Sequence, residues 1–210
     1  MKVNTILFYL LIILLPTQLG KHFFFDFSYI YGMRSDYLAP TVYLTDLITL
    51  AMVCVQVGIF LKKKKTWKKE SIKTCLKKNK FTLFVICYLL FNSFFIALNK
   101  WVALYKTFKI TEFIFLGYFT INIKPRISSV VKVLSAVAIC SSIIALWQFR
   151  LQHSVGGLLW GLGERTFSVM TPGIATISIG GKMVLRSYAT FSHPNVLAGF
   201  LAVVLPVMFF

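Results

Sequence analysis

The sequence predicts an all-α fold, a polytopic membrane helix bundle in which about six transmembrane helices are visible. Three observations support this class. Hydrophobic residues make up 58% of the chain, whereas soluble domains use about 45–50% apolar residues. The mean hydropathy is +0.77. Several apolar segments are about 16–21 residues long, which is close to the length that crosses the hydrocarbon core of a bilayer.

The apolar segments are predicted to be spanning helices in chain order. They comprise residues 3–19, 41–61, 81–98, 107–123, 133–149 and 195–210. The first segment follows Lys2, as the apolar core of a signal peptide would, but it lacks a small-x-small cleavage site. We therefore interpret it as an uncleaved helix. In the fourth segment, Lys109 and Glu112 stand at helical spacing and are interpreted as a local ion pair.

The predicted organisation is a single transmembrane domain over residues 1–210. The last apolar run reaches Phe210 with no polar stop or loop behind it. A helix from Pro194 to Phe210 has about 17 residues, which is the lower limit for crossing a bilayer. We therefore expect the chain to be the front part of a longer membrane protein that is truncated here.

The positive charge is concentrated in one segment. Residues 62–80 carry ten lysines and one glutamate, in a chain with a net charge of +17. Positive loops stay on the cytoplasmic side, so 62–80 is predicted to be a cytoplasmic loop. The N-terminus then lies on the same side, and the loop 150–194 is extracytoplasmic. The lysines also suit anionic lipid headgroups. Nucleic-acid binding is not expected, because Trp67 is the only aromatic residue in the run.

The loop 150–194 is far longer than a simple connector. Its stretch 156–163, GGLLWGLG, suits an interfacial turn or a short re-entrant helix. Further on, residues 175–179 and 182–191 flank the pair Gly180-Gly181. Two runs of this kind around a Gly-Gly pair predict a β-hairpin with a two-residue turn.

A polar cluster stands just before the last apolar run. Pro194 suits the first position of a helix, and His193 or Ser192 suits the N-cap position before it. Asn195 fits equally well a role in capping or packing this helix and a contact with a ligand. The cluster is therefore predicted to mark the working face of the protein.

These residues carry a family resemblance. The segment RSYATFSHPNVLAGFL, residues 186–201, resembles the bacterial O-antigen ligase and O-antigen polymerase superfamily. In that superfamily an arginine, a Thr/Ser-Phe pair and an Asn-x-Leu-Ala helix start recur on the outer face. The segments GERTFS at 163–168 and GMRSDYLAPT at 32–41 also resemble sequences of this superfamily.

The resemblance implies a multi-pass glycosyltransferase of the bacterial cytoplasmic membrane that needs no metal and no cofactor. Such a ligase or polymerase moves a glycan from a polyprenyl-diphosphate carrier to an acceptor hydroxyl on the extracytoplasmic face, during assembly of cell-surface polysaccharide. The implied partners are the polyprenyl-diphosphate-linked glycan, a glycan or lipid acceptor, and membrane lipids.

Three arginines are the candidate diphosphate contacts: Arg186, Arg165 and Arg34. A guanidinium offers charged, bidentate donors to a diphosphate leaving group. For Arg186 the alternative is an interfacial arginine whose charged end reaches the headgroups. For Arg165 and Arg34 the alternative is a surface ion pair, since Glu164 and Asp36 stand nearby in sequence.

The general base is left unassigned. In the family, the general base looks like a histidine in a later extracytoplasmic loop. This chain stops before that loop. His193 is the candidate within the chain, although a residue next to Pro194 also fits a helix start. We therefore expect this chain to transfer no glycan by itself. The alternatives are a transporter or flippase of lipid-linked sugars, which predicts polar, broken helices at the membrane midplane, and an inactive fragment.

Overall fold

The computed structural model describes residues 3–63 and 80–209. Within these ranges the chain forms six α-helices, joined by short strands and single helical turns. The helices are α1 (Val3–Ile13), α2 (Leu44–Lys63), α3 (Lys80–Phe91), α4 (Lys100–Ile123), α5 (Ile127–Leu151) and α6 (Pro194–Met208). The predicted basic loop 62–80 lies mostly outside the described residues.

The described strands are short and form three two-stranded sheets. They are β1 (Gly20–His22), β2 (Tyr29–Ile30), β3 (Met33–Arg34), β4 (Thr41–Tyr43), β5 (Thr176–Ile179) and β6 (Lys182–Leu185). Strand β1 pairs with β4, and β2 runs antiparallel to β3. The predicted hairpin is present as β5 and β6, in which Ile179 faces Lys182. Gly180 and Gly181 have φ values of +56° and +78°, which a type I′ turn requires.

The prediction of six spanning helices is wrong. Among residues 3–63 and 80–209, one helix, α5, is both long and apolar enough to cross a membrane. The apolar parts of α1, α2, α3 and α6 are between 10 and 17 residues long. A spanning helix needs about 20 residues. The described helices therefore do not support a multi-pass topology.

Local structure shortens four of the predicted segments. Helix α1 ends at Ile13, and a turn leads to Pro16. Residues 41–43 belong to strand β4 rather than to a helix. Helix α3 ends at Phe91, and a short π-helix follows it over Asn92–Ile96. Helix α6 is 15 residues long.

Helix α4 fails as a spanning helix because of its charge rather than its length. It has 24 residues, but Lys100, Lys106, Lys109 and Glu112 all fall within it. Each ionisable residue in a bilayer carries a large transfer cost. The fourth predicted segment, 107–123, is therefore part of a helix that does not meet the composition of a membrane span.

Helix α5 contains the fifth predicted segment, 133–149, and is longer than it at both ends. It has 25 residues and a length of about 37 Å at 1.5 Å per residue. Only 17% of its most apolar stretch is buried inside the protein. The core helix of a soluble protein would be mostly buried, so this apolar surface is suited to lipid.

The chain divides into two compact units. The first consists of the described residues of Met1–Gly20, Tyr43–Thr45 and Pro125–Phe210. In it, α5 packs against α1 and α6. One apolar cluster combines Phe167, Leu185 and Tyr188. A second combines Ala189, Phe191 and Leu197.

The second unit consists of the described residues of Lys21–Val42 and Asp46–Lys124. In it, α3 and the π-helix pack against α4. Polar side chains support this packing. The hydroxyls of Ser93 and Thr107 are hydrogen-bonded at 2.8 Å, and both residues are buried. A separate hydrogen bond, from the Tyr105 hydroxyl to the carbonyl of Thr41 at 3.0 Å, ties α4 to β4.

Candidate functional site

Four of the predicted residues meet at the start of α6. Arg186 follows β6, and its Nη2 donates to Oδ1 of Asn195 at 2.7 Å. His193 is the N-cap residue of α6, and Pro194 is the first residue of the helix. Residues that are 9 apart in sequence, Arg186 and Asn195, are thus joined by a direct side-chain contact.

Arg186 keeps most of its hydrogen-bonding capacity. A guanidinium has five N–H donors in a planar fork, and the contact with Asn195 uses one of them. Arg186 is half-buried, whereas His193 and Asn195 are exposed. The asparagine carbonyl thus orients one edge of the guanidinium while other N–H groups remain for an anion.

His193 is engaged by the backbone. Its Nδ1 accepts a hydrogen bond from the backbone N–H of Asn195 at 3.2 Å. Its ring also stands edge-on to the ring of Tyr188, with centroids 6.0 Å apart. An imidazole whose Nδ1 accepts carries its proton on Nε2 when neutral. In this arrangement His193 acts as a helix cap, and its exposed nitrogen is a donor rather than a base.

The buried side chain of Gln148 holds the segment before His193 in place. Gln148 is on α5 and has no solvent exposure. Its Oε1 accepts hydrogen bonds from the backbone N–H groups of Tyr188 and Ala189, at 2.9 and 2.7 Å. Its Nε2 donates to the carbonyl of Ala189 at 2.8 Å. Ala189 has a φ of +49°, so the amide stabilises a left-handed turn just after Arg186.

Glu164 completes this buried network. Its Oε1 accepts from Nε2 of Gln148 at 2.8 Å and from the backbone N–H of Val155 at 2.7 Å. Its Oε2 accepts from the backbone N–H of Gly156 at 2.7 Å. The carboxylate therefore links α5 to the loop that follows it. This role differs from the ion pair with Arg165 that the sequence suggested.

Two further side chains tie the hairpin and the Arg186 segment to α5. Oε1 of Gln152 accepts from the backbone N–H of Leu185 at 2.8 Å. The hydroxyl of Ser187 donates to the carbonyl of Ala145 at 2.6 Å. Gln148 and Gln152 were not predicted from the sequence, and Glu164 was expected to pair with Arg165 instead. An amide such as Gln148 inside an otherwise apolar helix is the signal that would have identified the first of them.

The other predicted arginines do not join this cluster. Arg165 is exposed on the loop after Glu164. Arg34 belongs to the second compact unit. Its Nε lies 3.5 Å from Oδ1 of Asp36, and its guanidinium lies 4.5 Å from the ring centre of Phe24. Arg34 thus has the surface ion pair that the sequence offered as the alternative to a diphosphate contact.

An apolar cavity of about 460 Å³ lies in the first unit. Side chains from the end of α1 and from α5 line it, including Leu14, Val133 and Ile144. Thr190, four residues after Arg186, also lines it. Lys132 is its charged residue. The cavity suits a hydrocarbon chain, because almost all of its surface is apolar.

The comparisons with known proteins add no identification. Neither the protein-family models, nor the curated proteins, nor the solved structures contain a significant match to this chain. In the part of the chain that the structure describes, no three His, Cys, Asp or Glu side chains are grouped to hold a metal ion. The geometry of Arg186, His193 and Asn195 is therefore the main indication of function.

Proposed function

We propose that this chain belongs to a membrane-bound glycosyltransferase of the ligase or polymerase type, which uses a polyprenyl-diphosphate-linked glycan as its donor. The contact between Arg186 and Asn195 carries the proposal. It presents an oriented, half-buried guanidinium beside an exposed helix start. A diphosphate leaving group needs this kind of fixed positive charge as its bond to the sugar breaks.

The residues around Arg186 would bind different parts of the donor. The guanidinium of Arg186 neutralises the diphosphate, and the N-terminus of α6 adds a favourable dipole for an anion. The apolar cavity lined by Leu14, Val133 and Thr190 takes part of the polyprenyl chain. Gln148 keeps the Arg186 segment rigid. Deprotonation of the acceptor is not assigned to His193, because its Nδ1 accepts from the backbone.

We also propose that the protein lies in the bacterial cytoplasmic membrane, with α5 crossing the bilayer. Lys124 and Arg126 stand immediately before α5. Positive residues next to a spanning helix favour the cytoplasmic side. The loop after α5, with Arg186, is then extracytoplasmic, where lipid-linked glycans are consumed in the proposed reaction.

A cysteine-labelling experiment tests this orientation. In a cysteine-free background, we expect a membrane-impermeant maleimide to label Ser178→Cys in intact cells and to spare Ser128→Cys. Both positions are exposed, one on the hairpin and one at the start of α5. Ser128→Cys should become reactive once the membrane is opened. Labelling of Ser128→Cys but not Ser178→Cys in intact cells would reverse the orientation and remove the proposed site from the outer face.

The role of Arg186 is tested by binding. We expect Arg186→Ala to weaken binding of undecaprenyl diphosphate to the purified protein by roughly 10- to 100-fold, since a charge-assisted bidentate contact is lost. Arg186→Lys keeps the charge but loses the fork, so it should bind with intermediate affinity. Binding is measured by fluorescence quenching or by native mass spectrometry.

Arg150→Ala is the matched control. Arg150 is an exposed arginine at the end of α5 in the same unit, so its loss changes the net charge equally. We expect this variant to bind the lipid like the wild type. If Arg186→Ala also bound normally, the guanidinium would have no role in donor binding and the proposed function would lose its main support.

A further inference from the structure

A second group of charged side chains lies in the other compact unit, between α2 and α4. Nζ of Lys109 donates a hydrogen bond to Oδ2 of Asp46. The same ammonium lies 3.8 Å from Oε2 of Glu112. The sequence suggested only the local pair of Lys109 and Glu112. The structure adds a partner on α2 that is 63 residues away in sequence.

This group has an excess of negative charge and little access to water. The relative exposure of the side chains is 17% for Lys109, 18% for Asp46 and 12% for Glu112. Two carboxylates share one ammonium. Burial raises the pKa of the Glu112 carboxyl above its ordinary value, and the nearby Asp46 carboxylate raises it further. Lys109 and a hydrogen bond from Thr49 act in the opposite direction. With one ammonium for two carboxylates, the three side chains together carry one net negative charge.

A cavity of about 500 Å³ opens onto these side chains. Asp46, Lys109 and Glu112 all line it. The rest of its surface is largely apolar and includes Leu50 and Phe115. Ligand sites commonly combine a cavity of this size and apolar character with a few polar groups that converge at one point.

We propose that this cavity binds a lipophilic organic cation, with the charge of the ligand next to Glu112 and its apolar body against the walls. The charged side chains that line the cavity are two carboxylates and one ammonium, so the lining carries one net negative charge. A bound cation offsets the cost of burying that charge, whereas a bound anion of the same shape increases it. Charge complementarity thus selects the sign of the ligand.

The aromatic residues refine where the cation sits. The ring centre of Tyr105 lies 5.7 Å from Nζ of Lys109 and 5.5 Å from Nζ of Lys106. This ring already faces two ammonium groups and is a poor place for a third cation. Phe108 and Phe115 also line the cavity, and aromatic rings of this kind can bind a cation. The ligand charge is therefore expected between Glu112 and these phenylalanines.

Two ions of nearly the same shape and opposite charge test the proposal. We expect the purified full chain, in a neutral detergent, to bind tetraphenylphosphonium in equilibrium dialysis and to bind tetraphenylborate at least roughly tenfold more weakly, because the like charge is repelled in a poorly hydrated site. Glu112→Gln should lower phosphonium affinity by roughly tenfold, since it removes the excess charge and keeps the shape of the side chain. Asp26→Asn is the matched control, because it removes an exposed carboxylate of the same unit.

The pH dependence of the wild type provides a second measurement that needs no variant. Tetraphenylphosphonium has a permanent charge, so any change with pH comes from the protein. The groups that face the site are Asp46, Glu112, Lys109 and Tyr105, with Lys106 beyond the tyrosine ring. Protonation removes the charge of Glu112, and its raised pKa places this event at a higher pH than for an ordinary glutamate. Phosphonium binding should therefore weaken as the pH falls through that range.

Equal phosphonium affinity of the wild type and Glu112→Gln, or tighter binding of the borate, would overturn the proposal. A loss of binding in Asp26→Asn equal to that in Glu112→Gln would do the same, since it would indicate a general effect of net charge. These outcomes do not affect the proposed glycosyltransferase function, which depends on Arg186 in the other compact unit.

Discussion

Replacing Gln148 with alanine is expected to destabilise the first compact unit by at least about 3 kcal/mol, because several buried polar groups lose their partners at once. The amide makes four hydrogen bonds, to Glu164, Tyr188 and twice to Ala189. Each buried group left without a partner costs about 1–3 kcal/mol. Tryptophan fluorescence of the purified protein during heating gives the thermal midpoint of unfolding that checks this expectation.

Two further variants separate hydrogen bonding from volume. Gln148→Met has a similar volume and no amide, so we expect it to be nearly as unstable as Gln148→Ala. Asn122→Ala removes an exposed amide with one hydrogen bond inside its own helix, and should change stability by less than about 0.5 kcal/mol. A stable Gln148→Met would show that Gln148 contributes through packing alone.

The Gln148 variants also connect stability to the proposed site. Ala189 has a left-handed backbone conformation that the amide of Gln148 stabilises. Arg186 stands three residues before it. Loss of the amide is therefore expected to expose the segment after β6 to limited proteolysis at temperatures at which the rest of the unit is still folded.

Gly163→Ala is expected to destabilise the same unit by about 3 kcal/mol or more, since backbone strain and a steric clash add together. Gly163 has a φ of +95°, a region that alanine rarely adopts. A Cβ atom at this position would lie 2.6 Å from the backbone nitrogen of Gln18. Backbone cannot rotate away as a flexible side chain would, so one of the two segments must move.

Other glycines of the chain distinguish the two causes. Gly173 also has a positive φ, of +77°, but a Cβ there would meet no atom within 4 Å. Gly161 has ordinary backbone and equally open surroundings. In thermal unfolding we expect Gly161→Ala to match the wild type and Gly173→Ala to lose about 1 kcal/mol from strain alone. A Gly163→Ala protein no less stable than Gly173→Ala would contradict the close approach of Gln18.

Local features of the sequence predicted local structure well. The Gly180-Gly181 pair lies at the turn of the β5–β6 hairpin, because two consecutive residues with positive φ strongly favour glycine. Pro194 begins α6 and His193 caps it, since a proline has no N–H to lose at the first position of a helix. Such features depend on a few neighbouring residues and need no tertiary contact.

Apolar segment length did not predict the spanning helices. The mean hydropathy of a window of residues does not indicate where a helix ends. Residues 41–43 pair with β1 as a strand, and Ser93 bonds back to the carbonyl of Leu89 where α3 becomes a π-helix. In both places the helix is therefore shorter than the apolar run in the sequence. Among residues 3–63 and 80–209, α4 and α5 contain their predicted segments in full, and α5 alone is also apolar enough to cross a membrane.

The sequence by itself determined that the chain is strongly apolar and basic, that a hairpin precedes a proline-started helix, and that Arg186 lies close to that helix. Only the tertiary structure decided which polar groups act together. Gln148 meets Glu164 and Ala189, and Asp46 meets Lys109. The physical reason is that buried polar groups must find partners. The partner is set by which backbone and side-chain groups the packing brings near, often 40 or more residues away in sequence.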